Sequence, residues 1–260
     1  MTLPTQTLAL QTLALQTLGL SKSFGGFKAN SEISLCVAKG ARHALIGPNG
    51  AGKTTFINLL TGVLPATSGT VRLLDEDVTR LSQQGRVKRG MARTYQINQL
   101  FADLTPIETV GLAIAEREGA GARWWSRVGQ NSAVVDEAEA LLTRMKLGGM
   151  MTWRTATLPY GKQRLLEIAL AMACKPKLLL LDEPAAGVPE DERHDVLDSV
   201  EALPQDVTVL LIEHDMELVF SFADRISVLV QGQLFAEGGV EEISTDPRVK
   251  AVYLGEDAHV

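Results

Sequence analysis

Gly47-Pro48-Asn49-Gly50-Ala51-Gly52-Lys53-Thr54-Thr55 fits the pattern G-x-x-x-x-G-K-[ST]. A short apolar run over 41–46 precedes it, and a helical pattern over 53–60 follows. Strand, glycine-rich turn and helix in that order make a phosphate cradle. The glycines let backbone N–H groups curl around phosphate oxygens without Cβ clashes. The helix points the positive end of its dipole at the anion. Lys53 supplies a positive charge for β- and γ-phosphates, and the Thr54 hydroxyl suits a Mg2+ ion.

Leu178-Leu179-Leu180-Leu181-Asp182-Glu183-Pro184 reads as a buried strand with carboxylates at its C-terminal end, which is where open α/β sheets place their ligands. Asp182 is suited to hold Mg2+ through water, because that ion keeps most of its hydration shell. Glu183 is suited to orient or deprotonate an attacking water. An apolar run ending in Asp-Glu is weak evidence alone and strong evidence downstream of a phosphate loop.

Working outward, strand-like runs alternate with helical ones, as at 190–203 and 207–212. That alternation predicts a mostly parallel sheet covered on both faces. The middle of the chain differs. Thr105-Pro106-Ile107-Glu108 joins an N-cap, a proline at the first helical position and an acid three residues after the cap. Val135, Ala138, Leu141, Leu142 and Met145 recur at helical spacing, and Gly148 suits the stop. Trp124-Trp125 reads either as packing or as part of a docking surface. Residues 97–163 are therefore expected to form an inserted helical subdomain, with 18–96 and 164–260 making the core. Residues 6–20 repeat QTLAL, QTLAL, QTLGL. A period of five matches neither strand nor helix, so 1–17 is expected to be a poorly ordered leader with only the last copy entering the fold.

The chain has 260 residues, 45% hydrophobic and 22% charged, an ordinary globular composition. A net charge of −6 without long Lys/Arg runs argues against nucleic acid as a partner. Cys36 and Cys174 stand far apart with no Cys/His cluster, which fits a reducing compartment and excludes a disulfide framework. No run approaches the roughly 18 apolar residues of a membrane span, and no signal peptide is legible. Any membrane role is expected to run through partners.

Three further features fall in a telling order. Gln96 lies in Arg93-Thr94-Tyr95-Gln96. Leu158-Pro159-Tyr160-Gly161-Lys162-Gln163-Arg164 precedes a helical run. Ile212-Glu213-His214-Asp215 follows another apolar strand. From about Leu18 onward the chain resembles ATPase subunits of ABC transporters. The resemblance implies a P-loop α/β fold with an N-terminal antiparallel β subdomain and an inserted helical subdomain. It implies ATP and Mg2+ as cofactors, with Asn49, Gly50, Gly52, Lys53, Thr54 and Thr55 on the phosphates and Thr54, Gln96 and Asp182 at the metal. Glu183, His214 and Gln96 take the catalytic roles of base, switch histidine and sensing glutamine. Tyr160, Gly161, Lys162 and Gln163 lie in the signature motif, which closes on ATP held by a second subunit. Phe24 is the best match for an adenine-stacking aromatic, with Phe27 the alternative.

Phe24-Gly25-Gly26, the tyrosine-containing signature, Asp182-Glu183-Pro184-Ala185-Ala186-Gly187, Ile212-Glu213-His214-Asp215-Met216 and Val252-Tyr253-Leu254-Gly255-Glu256 are similar to importers of branched-chain amino acids. Urea and short-chain amide importers share much of this pattern. The implied partners are two membrane-spanning permease subunits, a second and non-identical ATPase (or a second copy), and indirectly an external binding protein. The implied location is the cytoplasmic face of the cell membrane. Pro159 replaces the signature serine, and Pro189 the aspartate usual after Glu183, so a weaker signature half-site is expected. An exporter ATPase, as in lipopolysaccharide export, and a soluble non-transport ABC ATPase are the competing readings.

Overall fold

The computed structural model describes residues 12–94, 100–119 and 132–254. Gln96, Trp124, Trp125 and the first QTLAL copy lie outside the described residues.

The first sheet is antiparallel. It contains β1 (Leu13–Phe24), β2 (Phe27–Ile33), β3 (Cys36–Ala38), β5 (Ser68–Leu73) and β6 (Glu76–Asp77), ordered β2-β1-β5-β6 with β3 also on β1. The second holds β4 (Arg42–Ile46), β7 (Met91–Arg93), β8 (Leu178–Asp182), β9 (Thr208–Ile212), β10 (Arg225–Val230) and β11 (Gln233–Gly238). Its order is β11-β10-β4-β9-β8-β7, parallel throughout except for the antiparallel edge strand β11. The helices are α1 (Lys53–Thr61), α2 (Gln83–Val87), α3 (Pro106–Arg117), α4 (Ser132–Arg144), α5 (Tyr160–Ala173), α6 (Glu190–Glu201), α7 (Met216–Phe222), α8 (Val240–Thr245) and α9 (Pro247–Leu254).

The leucine run of β8 shows why the sheet lies in the middle. Successive strand residues face opposite sides. Leu179 and Leu181 pack with α3, α4, α5 and α6, whereas Leu178 and Leu180 pack with α1 and the antiparallel sheet. All four are fully buried. At roughly 1.5–3 kcal/mol per large apolar side chain taken out of water, this strand is a main anchor of the fold.

The expected leader boundary at residue 17 is corrected: β1 begins at Leu13, and Ala14, Leu15 and Thr17 are buried. The physical reason is a bulge. Leu15 and Leu20 sit five residues apart, which in a regular strand would put them on opposite faces. Gly19, at φ +57°, lies within a register shift between Leu18 and Ser21. The extra residue turns Leu20 back to the core that holds Leu15. The five-residue repeat is thus compatible with a bulged strand.

In the middle of the chain α3 starts as expected. Thr105 Oγ1 accepts from Glu108 N–H, and the Glu108 carboxylate accepts from Thr105 N–H at 2.8 Å. α4 stops earlier than Gly148. Lys146 takes the left-handed conformation at φ +55°, Leu147 N–H reaches Leu142 O, and Lys146 N–H reaches Thr143 O. This pattern satisfies the last carbonyls of the helix, and the buried Leu147 side chain fixes it without a glycine. Gly148 instead opens a short 3-10 turn, Gly148–Met150.

Candidate nucleotide site at the strand ends

The parallel register brings three strand ends level. Leu45 on β4 and Asp182 on β8 both pair with Ile212 of β9. The phosphate loop, Glu183 and His214 therefore leave adjacent strands at one edge, the ligand-binding edge of an open α/β sheet.

The loop is held from below by backbone. A Cβ on Gly52, at φ +96°, would lie 2.6 Å from Ala29 O and 2.7 Å from Asn30 Nδ2. Asn30 Nδ2 also donates to Gly52 O at 3.2 Å, so β2 buttresses the loop three residues beyond Phe27. Asn49 and Gly50 are exposed on its crest, Lys53 is buried, Thr54 is exposed and Thr55 half-buried. The Lys53 ammonium donates to Gly47 O and, at 3.0 Å, to Pro48 O. The first N–H groups of α1 precede its first helical bond, Phe56 N–H to Gly52 O, and have no intrahelical acceptor. A backbone packed too closely for side chains, with donors and one ammonium above it, fits polyphosphate.

Asp182 is 2% exposed, and its Oδ2 accepts from Arg93 Nη2 at 2.7 Å. Arg93 Nη1 donates to Asn58 Oδ1 on α1 at 2.6 Å. No cluster of three His, Cys, Asp or Glu side chains suits a metal among the described residues. The donors at hand, the Thr54 hydroxyl and one carboxylate, fit a largely hydrated Mg2+ shared with phosphate rather than an all-protein cage.

Glu183 adopts φ +46°, a strained value of the kind that gathers at functional sites. Its N–H is tied to Ile212 O at 2.9 Å. His214 Nδ1 stands 3.8 Å from Glu183 Oε1 and 3.6 Å from Glu213 Oε2, with the imidazole largely exposed. Glu213 is buried, which pushes its carboxyl up from the usual range, and its Oε2 accepts from His214 N–H and Asp215 N–H. Asp215 caps α7 and pairs with Arg193 at the start of α6. The histidine is thus mounted on a turn that its own neighbours brace.

The signature residues make a different set of contacts. Pro159 is the N-cap of α5 and Pro189 that of α6, neither with a side-chain cap. Gly161 N–H donates to Glu192 Oε2 at 2.6 Å, Lys162 Nζ to Asp195 Oδ2 at 2.8 Å, and Gln163 Nε2 to Leu158 O at 2.9 Å. Tyr160 OH accepts from Arg164 Nη2 at 3.0 Å. Its ring faces Gly187, where an added Cβ would lie 3.5 Å from the hydroxyl. The Gly161 and Lys162 contacts run to the first turns of α6, and Tyr160 reaches the loop before it. Phe24 pairs in register with Phe27 at the tip of the β1–β2 hairpin. Both rings are exposed, and Lys22 Nζ lies 5.1 Å from the centroid of Phe24.

Reading residue types in isolation missed Arg93, Asn58, Glu213 and Glu192. The outward sign of Arg93 is a cation three residues before Gln96.

The match to known proteins follows this geometry. The family model described as ABC transporter covers residues 30–186, and one described as branched-chain amino acid ATP-binding cassette transporter covers 233–259. The chain therefore belongs to the ABC transporter family as an ATP-binding subunit with ATPase activity. More particularly, it is 38% identical to the high-affinity branched-chain amino acid transport ATP-binding protein BraF of Pseudomonas aeruginosa, over 92% of this chain and 96% of that protein. It is 39% identical to LivG of Escherichia coli, a protein of the same description, over the same shares. Among solved structures, an ATP-binding cassette of an ABC transporter in its ADP conformation superposes with TM-score 0.80 at 32% identity, covering 94% of this chain and 99% of the other. A nucleotide-free cassette gives 0.80 at 31%, covering 93% and 98%. Among the described residues no helix is long and apolar enough to cross a membrane.

Proposed function

We propose that this chain powers an ABC importer for branched-chain or other hydrophobic amino acids, with urea and short amides as the neighbouring alternative. The observation that carries the engine is the convergence of Lys53, Asp182, Glu183 and His214 at the level ends of β4, β8 and β9. The C-terminal match over 233–259 favours import over the exporter reading.

In this reading Asn49, Gly50, Gly52, Thr54 and Thr55 cradle the phosphates and Lys53 neutralises their charge. Glu183 accepts the proton of the attacking water as its oxygen bonds to the γ-phosphorus and the bridging O–P bond breaks. His214 steadies the γ-phosphate from the braced turn. Thr54 and Asp182, with Gln96 as a further donor, would hold Mg2+, which supplies charge neutralisation. Tyr160, Gly161, Lys162 and Gln163 present the α5 N-terminus to ATP on a second ATPase, and Phe24 offers its ring to adenine. Closure pulls on two permease subunits through the segment 97–163, which carries α3 and α4, and the protein sits peripherally on the cytoplasmic face of the membrane. Pro159 and Pro189 mark the weaker half-site of a pair with a non-identical ATPase.

Purification of the tagged chain from its own cells in mild detergent, with mass spectrometry, tests the partnership. Two multi-span proteins and a second ATPase are expected. Ribosomal or DNA-repair proteins without membrane subunits would contradict the transport reading.

A further inference from the structure

Asp182 is buried among apolar strand residues, and a buried carboxylate needs a counter-charge. That charge is already present within the chain. Arg93 Nη2 lies 2.7 Å from Asp182 Oδ2, with the two side chains 8% and 2% exposed. The guanidinium is fixed from the other side by Asn58 Oδ1, 2.6 Å from Nη1. Asn58 lies on α1, four residues after Thr54, so the fork spans from the helix behind the phosphate loop to the carboxylate strand. The backbone is tied as well. Asp182 N–H donates to Thr94 Oγ1 at 3.4 Å, and Thr94 N–H to Leu180 O at 3.0 Å.

We propose that Arg93 is a positioning residue that sets the divalent-cation affinity of the nucleotide site. Its guanidinium holds one oxygen of Asp182 and repels a second cation, so the site takes Mg2+ weakly until phosphates add their negative charge. The rigid Arg–carboxylate geometry also fixes the rotamer of Asp182 and the direction of its other oxygen. Metal and nucleotide therefore bind as a unit, and Asp182 keeps the same orientation with or without them. This inference rests on the reading of Asp182 as the Mg2+-side carboxylate.

The test is Mn2+ binding followed by electron paramagnetic resonance on the purified chain, with and without a non-hydrolysable ATP analogue. Without nucleotide, Arg93→Gln is expected to bind Mn2+ at least tenfold more tightly than the unaltered protein. Arg93→Lys keeps the charge but not the fork, and is expected to return most of the weak affinity. Adding Asp182→Asn to Arg93→Gln is expected to abolish the gain. If Arg93→Gln does not fold, Asn58→Ala, which frees the guanidinium without removing it, is expected to show a smaller gain of the same sign. Unchanged nucleotide-free Mn2+ affinity in folded Arg93→Gln, or in Asn58→Ala where that variant stands in, would overturn the proposal. Failure of the unaltered protein to bind Mn2+ even with the analogue would instead overturn the underlying reading of the metal site.

Discussion

The N-termini of α1 and α5 are built from the same elements and differ in charge. Both follow a tight turn, both carry glycine and lysine at the start, and both aim a positive dipole end outward. At α1 the first turn holds no acid, and Lys53 adds a cation above a loop packed on backbone. At α5 the chain supplies its own anions: Glu192 takes the Gly161 N–H, and Asp195 takes Lys162. A helix N-terminus is therefore not a phosphate site by virtue of its dipole alone. The first turn of α1 carries no acid of its own, while the start of α5 meets two acids of α6, so the two helix ends differ in the charge set around them.

Matched glycine substitutions probe this contrast most strongly. Gly52→Ala would drive a Cβ into Ala29 O and Asn30 Nδ2 from a left-handed backbone. It should reduce nucleotide affinity by about 10²-fold or more, given strain of roughly 1–3 kcal/mol together with the backbone collision. Gly161→Ala would bring a Cβ to 2.6 Å from Glu192 Oε2 and 2.9 Å from Glu192 Cβ without left-handed strain, so nucleotide affinity should stay within about threefold, at an overpacking cost of about 1–3 kcal/mol in stability. Titration with a fluorescent nucleotide and urea melts read both effects. Equal losses in affinity would erase the comparison.

A second test asks which side of the site is sensitive to acid. His43 lies on β4, the strand that feeds the phosphate loop, and is buried with Nε2 2.8 Å from Ser227 Oγ. Burial lowers its pKa from 6.5 to about 4. The unfolded chain therefore binds the proton first, and stability is lost as pH falls from about 6.5 towards 4. The linked loss approaches about 3 kcal/mol. Urea unfolding of His43→Gln at pH 7 and pH 4.5 should show most of that difference removed. An unchanged pH slope would place the acid sensitivity elsewhere.

The smallest effect is expected at the internal cap. Glu192→Gln should weaken the Gly161 contact and cost about 0.5–1 kcal/mol of stability. It should also strengthen ATP-dependent association with a partner ATPase about threefold, measured by light scattering. Weaker association would mean that Glu192 assists the interface rather than guarding it.

What the sequence revealed follows the range of each interaction. The phosphate loop, the Asp182-Glu183 strand end and the Thr105–Glu108 capping box are local patterns whose residues act within a turn of one another, and the α/β frame follows from their alternation. The stop of α4 was misread because Leu147 burial, a tertiary effect, lets Lys146 take a glycine-like conformation. The start of β1 was misread because its bulge at Gly19 is visible only through pairing with β5. Arg93 with Asp182 and Gly161 with Glu192 join residues far apart in the chain, and no spacing rule announces such contacts.

The most direct test of the account is a comparison of ATP binding and ATP turnover in Glu183→Gln, made in the complete transporter. Glu183 carries the base in this reading, so nucleotide affinity should remain within a few-fold while turnover falls by about 10²-fold or more. Near-normal turnover with intact binding would remove Glu183 from the chemistry and contradict the central claim.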